Sequence, residues 1–139
     1  MRILTAVVAM LALAGCNKEG IDTDETSLNE TYTLMFGGEG YDPHEGQKIA
    51  ASLEDESGVV VERKEDQSPA QGKFEMAFGG LEDGEYTMYW YADLNEDGDC
   101  DPPDADHTWS HAITVAGADL AYTHQHAVDF DITACDHLR

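Results

Sequence analysis

From Thr31 onward, the chain consists of short stretches in which apolar and polar residues alternate, separated by glycine-containing turns. In the stretch 72–78 the apolar residues are Phe74, Met76 and Phe78, and Gly79-Gly80 follows. An apolar residue at every second position buries one face of a β-strand, whereas an amphipathic helix repeats about every 3.6 residues. Seven stretches of this kind occur and none is convincingly helical. The pattern predicts an all-β fold, a single antiparallel β-sandwich of about seven strands.

The predicted strands lie at 31–36, 48–55, 58–65, 72–78, 85–93, 107–115 and 123–133. The turn 56–58 (Glu-Ser-Gly) predicts a hairpin between the second and third strands. The glycine pairs 37–38 and 79–80 are predicted to end the strands before them. If residues 117–120 turn the chain, the last two strands pair with each other and His111 lies opposite His126.

The first sixteen residues carry the features of a secretory signal. Arg2 precedes an apolar run at 3–14, which is shorter than the roughly 20 residues of a membrane-spanning helix. The run ends in LAGC (13–16), which resembles the lipobox of bacterial lipoproteins. The resemblance implies cleavage before Cys16, acylation of that cysteine and stable attachment to a membrane. Ordinary secretion with an incidental cysteine is the alternative.

These features divide the chain into three parts: 1–15 signal peptide, 16–30 lipidated cysteine and flexible acidic tether, and 31–139 β-sandwich. The tether is polar and nearly free of large apolar residues, so it cannot bury enough surface to offset its ordering entropy. Asn17, directly after the lipid cysteine, resembles the default outer-membrane signal of enteric bacteria. The expected location is therefore the bacterial cell envelope, lipid-anchored at the outer membrane and facing either the periplasm or the exterior.

The acidic composition limits the partners. The formal net charge is −22, and such a surface repels nucleic acid and anionic lipid. No G-x-S-x-G, H-E-x-x-H or phosphate-binding loop is present, so we expect no enzyme activity. The remaining partners are a membrane, through the lipid anchor, and a protein or carbohydrate ligand.

Cys100 and Cys135 form an even pair once Cys16 is set aside as the lipidated residue. In an exported chain such a pair predicts a disulfide, here between an acidic loop and the last strand. A pair of metal thiolates is the alternative, but the close Cys-x-x-Cys spacing of common zinc sites is missing.

The segment LEDGEYTM (81–88) resembles the corner before a late strand in immunoglobulin-like and transthyretin-like sandwiches. Gly84 and Tyr86 occupy the matching positions. The resemblance implies that the Tyr86 hydroxyl bonds back to the main chain, and it implies a fold of one of these two types.

The loop 93–106 concentrates seven carboxylates in fourteen residues and contains no basic residue. Its spacing, D-x-N-x-D-G followed by further acids, resembles the EF-hand loop and the calcium loops of dockerins and thrombospondin type 3 repeats. The resemblance implies Ca²⁺ as cofactor, with ligands at loop positions 1, 3, 5, 7, 9 and 12: Asp93, Asn95, Asp97, Asp99, Asp101 and Asp104. Asp99 would offer its backbone carbonyl, and Asp101 would act through water.

The loop also departs from an EF-hand. It follows a strand, Pro102-Pro103 prevents a helix from starting normally after it, and position 12 is Asp104 where an EF-hand has glutamate. A calcium ion here would hold the loop in shape without moving a pair of helices. A solvated acidic turn is the alternative.

Six histidines suggest a second metal site. In the predicted pairing of the last two strands, His111, His124 and His126 share one face and could bind copper, zinc or nickel. The same residues could equally form a partly buried rim of the core. His44, His107 and His137 have no partner that the sequence reveals.

Together these features predict a membrane-anchored, calcium-stabilised exported β-sandwich that serves as a binding or adhesion module of the cell envelope. A structural or assembly component without a ligand is one alternative. A transition-metal-binding lipoprotein is the other.

Overall fold

A computed structural model describes residues 28–66 and 69–139, so the predicted signal peptide, Cys16 and most of the predicted tether lie outside the described residues. The elements are seven strands and two short 3₁₀ turns. The strands are β1 (Tyr32–Glu39), β2 (Ile49–Asp55), β3 (Val60–Asp66), β4 (Phe74–Leu81), β5 (Gly84–Ala92), β6 (His107–Val115) and β7 (Leu120–Gln125); the turns are Asp42–His44 and Ala134–His137. The prediction of an all-β sandwich is confirmed. No helix in the described part of the chain is long and apolar enough to cross a membrane.

The strands form one sheet of three, in the order β4-β1-β7, and one of four, in the order β3-β2-β5-β6. The predicted β2–β3 hairpin is present. The predicted pairing of the last two strands is wrong, because β7 crosses to the three-stranded sheet and pairs in parallel with β1. The otherwise antiparallel sandwich therefore contains one parallel pair. The short turn between β6 and β7 joins strands of different sheets.

The seventh strand is also misplaced in the prediction. β7 begins at Leu120 and ends at Gln125, whereas residues 126–133 form no strand. Val128, which lies within the predicted seventh strand, is 79% exposed.

Two glycine pairs that were expected to end strands lie inside β1 and β4. At Gly38 the reason is close packing. A Cβ atom there would lie 2.1 Å from the ring of Phe74 and 2.6 Å from the ring of Tyr41. Only glycine therefore lets these two rings pack against β1.

The core lies between the two sheets and is rich in aromatic residues. Alternate side chains of β5, Met88 and Trp90, are fully buried there, as are Leu34 and Phe36 of β1. The ring of Phe36 packs edge-on against Trp90 at 4.9 Å between centroids, so the two sheets meet through their aromatic side chains.

The corner before β5 has the expected bond. The Tyr86 hydroxyl donates to the carbonyl oxygen of Glu82 at 2.9 Å. This confirms the main-chain bond that the LEDGEYTM resemblance implied.

The disulfide between Cys100 and Cys135 is also confirmed, and both residues are buried. Cys135 lies in the second 3₁₀ turn, not in a strand as predicted. This turn covers the outer face of the four-stranded sheet, where His137 stacks on Tyr89 and contacts the buried carboxylate of Glu54 at 2.9 Å. The disulfide therefore fastens the acidic loop and the C-terminal turn to each other over one face of the sandwich.

We expect the Cys100→Ser, Cys135→Ser double variant to unfold more readily than the wild type. The bridge joins residues 35 positions apart, and a closed loop of that length contributes about 4 kcal/mol in the chain-entropy model. Urea unfolding under oxidising conditions measures the difference. Addition of a thiol reductant should lower the wild type to the level of the variant and leave the variant unchanged. A variant as stable as the oxidised wild type would contradict the prediction.

Candidate functional site

The acidic loop connects β5 to β6, and its first ligand candidate is buried. Asp93 is 3% exposed and directly follows β5. Its Oδ2 accepts a hydrogen bond from the backbone N–H of Gly98 at 2.9 Å, which closes the first half of the loop. Its Oδ1 is buried and has no hydrogen-bond partner. An unpaired buried carboxylate oxygen is costly, and a bound cation would satisfy this atom.

Three further candidates are tied together inside the loop. The Nδ2 amino group of Asn95 donates to Asp97 Oδ2 at 2.8 Å and to Asp101 Oδ2 at 3.1 Å. Asp97 Oδ1 in turn accepts from the N–H of Asp99 at 2.9 Å, and the side chain of Asp99 is exposed. The amide of Asn95 thus separates two carboxylates that would otherwise repel each other.

The last part of the loop is held by a residue that the sequence analysis did not select. Asp106 is fully buried, and its two oxygens accept from the N–H groups of Leu94 and Asp101, each at 2.9 Å. Burial raises the pKa of this carboxyl above its usual range, although the two N–H bonds oppose the shift. Asp104, the expected ligand at position 12, is exposed and lies outside this arrangement. The motif pattern stops at position 12, so no sequence signal marked Asp106.

Among the described residues, one lysine donates a hydrogen bond to the loop. The ammonium group of Lys48 donates to the carbonyl oxygen of Gly98 at 3.0 Å, and the Lys48 carbonyl accepts from the N–H of Asp93 at 2.9 Å. Lys48 and Asp93 line a small surface cavity of about 290 Å³ together with Asp97. The loop is therefore partly neutralised at its rim, while the buried oxygen of Asp93 is not.

A larger surface cavity of about 550 Å³ lies on the outer face of the four-stranded sheet. The acidic loop forms one of its walls, through Gly98 and Asp99, and Leu138 near the C-terminal turn forms another. Ala50 and Tyr91 of the sheet line it as well, and Arg63 adds positive charge. The cavity thus combines apolar and charged groups next to the proposed calcium loop.

The histidines that come together are not the predicted set. His44 Nε2 lies 3.0 Å from His126 Nε2 and 3.2 Å from His107 Nδ1, and the three ligand atoms all lie within 4.8 Å of one another. Within residues 28–66 and 69–139, no other group of three His, Cys, Asp or Glu residues brings its ligand atoms within 4.8 Å of one another. The carboxylates of the acidic loop are therefore farther apart than these imidazole nitrogens.

The predicted trio of His111, His124 and His126 does not assemble, because its strand pairing does not exist. β7 belongs to the other sheet, so His111 of β6 stacks on Tyr122 at 3.9 Å, outside the cluster. His124 Nδ1 lies 2.7 Å from the hydroxyl of Tyr41. Only His126 is common to the predicted and the observed groups.

Sequence reasoning missed His44 and His107 for a physical reason. His44 lies in a 3₁₀ turn after β1, and His107 is the first residue of β6, 63 positions later. Neither belongs to a short-range ligand spacing, and the contact depends on how the sheets stack. A histidine at the very start of a strand, directly after an acidic loop, was the one available hint.

Burial disfavours the charged forms of these histidines. It lowers the pKa of His44, His107 and His124 below the usual value, and nearby imidazoles add to the effect. All three are therefore neutral at pH 7. Neutral imidazole is the form that binds metal ions.

No protein-family model and no curated protein matches the chain. Among solved structures, the chain is similar to a fimbrial assembly protein from Parabacteroides distasonis, with a TM-score of 0.41 and 9% identity over 70% of this chain and 52% of that one. The chain spans about half the length of that protein. A similarity of this size does not assign the chain to a family.

We expect the metal-free protein to lose stability as the pH falls below about 6.5, the usual histidine pKa. Because the folded-state pKa values of His44, His107 and His124 are lowered, the unfolded chain binds more protons below that pH. The contribution of these histidines to the free energy of unfolding is fully present above their unfolded-state pKa. It is lost as the pH falls through their folded-state pKa values. Urea midpoints measured in EDTA at about pH 7.5 and 5.5 test this.

The matched control is His124→Gln, in which an amide oxygen can still accept from the Tyr41 hydroxyl. Its urea midpoint should fall less than that of the wild type over the same pH interval. An equal fall in both proteins would contradict a role for His124.

Proposed function

We propose that this chain is an exported, membrane-anchored β-sandwich that binds a ligand of the cell envelope beside a calcium-stabilised loop. The observation that carries the proposal is the position of the acidic loop, which forms a wall of the larger cavity and contains the unpaired buried oxygen of Asp93. The anchor would be Cys16, by its resemblance to the lipobox.

Calcium fits the loop by its chemistry. It is a hard cation that takes six to eight oxygen ligands at about 2.3–2.6 Å in a flexible geometry. Asp93 Oδ1 supplies a buried charge without a partner, and the Asp97 and Asp101 carboxylates flank the amino group of Asn95. Rotation of this amide would bring its oxygen towards the ion in place of the amino group. Asp93, Asn95, Asp97 and Asp101 are therefore the side chains that would hold calcium, with the carbonyl of Asp99 as a further ligand.

Calcium would also fix the shape of the cavity. The disulfide joins the loop to the C-terminal turn, and the cavity lies between these two segments. An ordered loop presents its wall in one conformation, which lowers the entropic cost of binding a ligand. A cavity with apolar and charged lining suits a partner that has both kinds of group, such as a polysaccharide or a protein loop.

The calcium part of the proposal predicts higher thermal stability in millimolar CaCl₂ than in EDTA. At a calcium concentration of about 100 times the dissociation constant, the gain should be about 2.7 kcal/mol. Sodium chloride at matched ionic strength is required, because screening alone stabilises a chain of this charge. A gain no larger than that in sodium chloride would contradict calcium binding.

Two variants sharpen the test. Asp93→Asn removes the buried unpaired charge, so it should melt higher than the wild type in EDTA and gain nothing from calcium. Asp99→Asn changes an exposed side chain whose carbonyl is the expected ligand, so it should keep the full calcium gain. The same response in both variants would show that calcium acts on the general surface charge.

The proposed ligand binding should depend on calcium and should be lost when a larger side chain fills the cavity. We expect the wild type to bind one or more members of a panel of purified surface polysaccharides and envelope proteins in CaCl₂, and to bind them more weakly in EDTA. Ala50→Phe places a ring in the cavity and should abolish binding, whereas Ala121→Phe on the exposed side of β7 should not. Binding that survives in Ala50→Phe would place the ligand elsewhere. A wild type that binds no member of the panel would favour a structural envelope component.

A further inference from the structure

The histidine cluster joins three elements that are distant in sequence. His44 comes from the 3₁₀ turn after β1, His107 from the start of β6 and His126 from the residue after β7. His44 is 1% exposed, and His107 and His126 are partly buried. The cluster therefore lies at one end of the sandwich, with one ring inside and two rings at the boundary to solvent.

The proton positions leave a lone pair that points into the cluster. His44 Nδ1 lies 2.8 Å from Gln47 Oε1, which can only accept a hydrogen bond, so Nδ1 carries the proton. Nε2 of His44 is then unprotonated at neutral charge, and it faces both His126 Nε2 and His107 Nδ1. One lone pair cannot accept two full hydrogen bonds from two ring N–H groups. Among the described residues, none of these three nitrogens has a carboxylate partner that would balance the arrangement.

A metal ion resolves the conflict because it accepts one lone pair from each ring. Metal–nitrogen distances of 2.0–2.1 Å in a tetrahedral site place neighbouring ligand nitrogens about 3.3 Å apart. The observed separations of 3.0 and 3.2 Å are close to this value. The third pair, His107 Nδ1 and His126 Nε2, lies within 4.8 Å, so movement of these two rings towards each other would complete three bonds.

The surroundings also match a metal site. Gln47 orients the His44 ring through the nitrogen that does not face the cluster, as outer partners of metal-bound histidines do. The ring of Phe130 stacks on His107 at 4.1 Å between centroids, and the Trp109 centroid lies 5.7 Å from that of His126 and 5.9 Å from that of His44. Aromatic rings therefore pack against all three ligands. The acidic protein surface raises the local concentration of cations.

We propose that His44, His107 and His126 bind one divalent first-row transition-metal ion, through Nε2, Nδ1 and Nε2 respectively. Three imidazoles without a thiolate suit Zn²⁺, Cu²⁺ or Ni²⁺ and do not suit Ca²⁺ or Mg²⁺. A tetrahedral ion held by three residues keeps its fourth position for water or another ligand. The site is separate from the acidic loop and does not depend on the calcium proposal.

Titration of the metal-free full-length protein with Zn²⁺ or Cu²⁺ tests the proposal. Calcium is kept at a saturating concentration throughout, so that the acidic surface is already occupied. We expect one equivalent to bind by calorimetry, and Cu²⁺ but not Zn²⁺ to quench the fluorescence of Trp109, which lies beside the cluster. The electron paramagnetic resonance spectrum of the Cu²⁺ form should show coupling to nitrogen. No binding at one equivalent, or binding without nitrogen coupling, would overturn the proposal.

Variants locate the site. His126→Gln and His107→Gln should each weaken binding by at least 100-fold, whereas His111→Gln should bind as the wild type does. Gln47→Leu keeps all three ligands and loses only the orienting bond, so it should weaken binding by about 10- to 100-fold. This variant keeps the test decisive if loss of a histidine prevents folding. Unchanged affinity in the folded His126→Gln and Gln47→Leu proteins, or an equal loss in His111→Gln, would show that the cluster is not the site.

Discussion

The buried hydroxyl of Tyr41 connects the two sheets at the end of the sandwich where the histidines gather. It lies 2.7 Å from Nδ1 of His124 on β7 and accepts from the indole N–H of Trp90 on β5 at 2.9 Å. A fully buried hydroxyl without such partners would be strongly unfavourable. The satisfied bonds therefore fix the segment after β1 in one position. The next residues of that segment supply His44 and Gln47, so the geometry of the cluster depends on this hydroxyl.

Two regions of the protein offer ligand atoms of opposite chemical character. The acidic loop offers carboxylate and carbonyl oxygens, which suit hard ions. The histidine cluster offers nitrogens held by aromatic rings, which suit transition metals. The short stretch 44–48 contacts both regions: His44 belongs to the cluster, and Lys48 bonds to Gly98 and to the backbone of Asp93. If both proposed ions bind, this difference in ligand type would let each region select its own ion although they are near neighbours.

Local features of the sequence predicted local features of the structure. Alternation located six of the seven strands, and the spacing of Gly84 and Tyr86 predicted a bond between residues four positions apart. Cys100 and Cys135 were paired because only these two remained once Cys16 was assigned to the predicted lipid anchor, and the chain was expected to be exported. Each of these inferences depends on a repeat of two residues, on a short turn or on a count, and none requires knowledge of how the sheets stack.

The histidine cluster could not be predicted from the sequence, because its formation depends on which of the two sheets β7 joins. A short β6–β7 turn is compatible with an antiparallel pair and equally with a crossover to the opposite sheet, and the chain takes the crossover. That choice moves His124 and His126 away from His111 and towards Tyr41 and His44. Asp106 was missed for a related reason, since its partners Leu94 and Asp101 lie on two sides of a loop whose closure the spacing does not reveal.

The parallel pairing of β1 with β7 makes the order of folding important. β1 is synthesised before the other described strands, yet one of its two neighbours in the sheet is β7, the last of them. Non-local pairs of this kind form late, because the chain must close a long loop first. His126, 82 positions after His44, reaches the cluster only when β7 docks. A translocating chain would therefore have no preformed site, and an ion held by these histidines would come from the compartment in which the protein finishes folding.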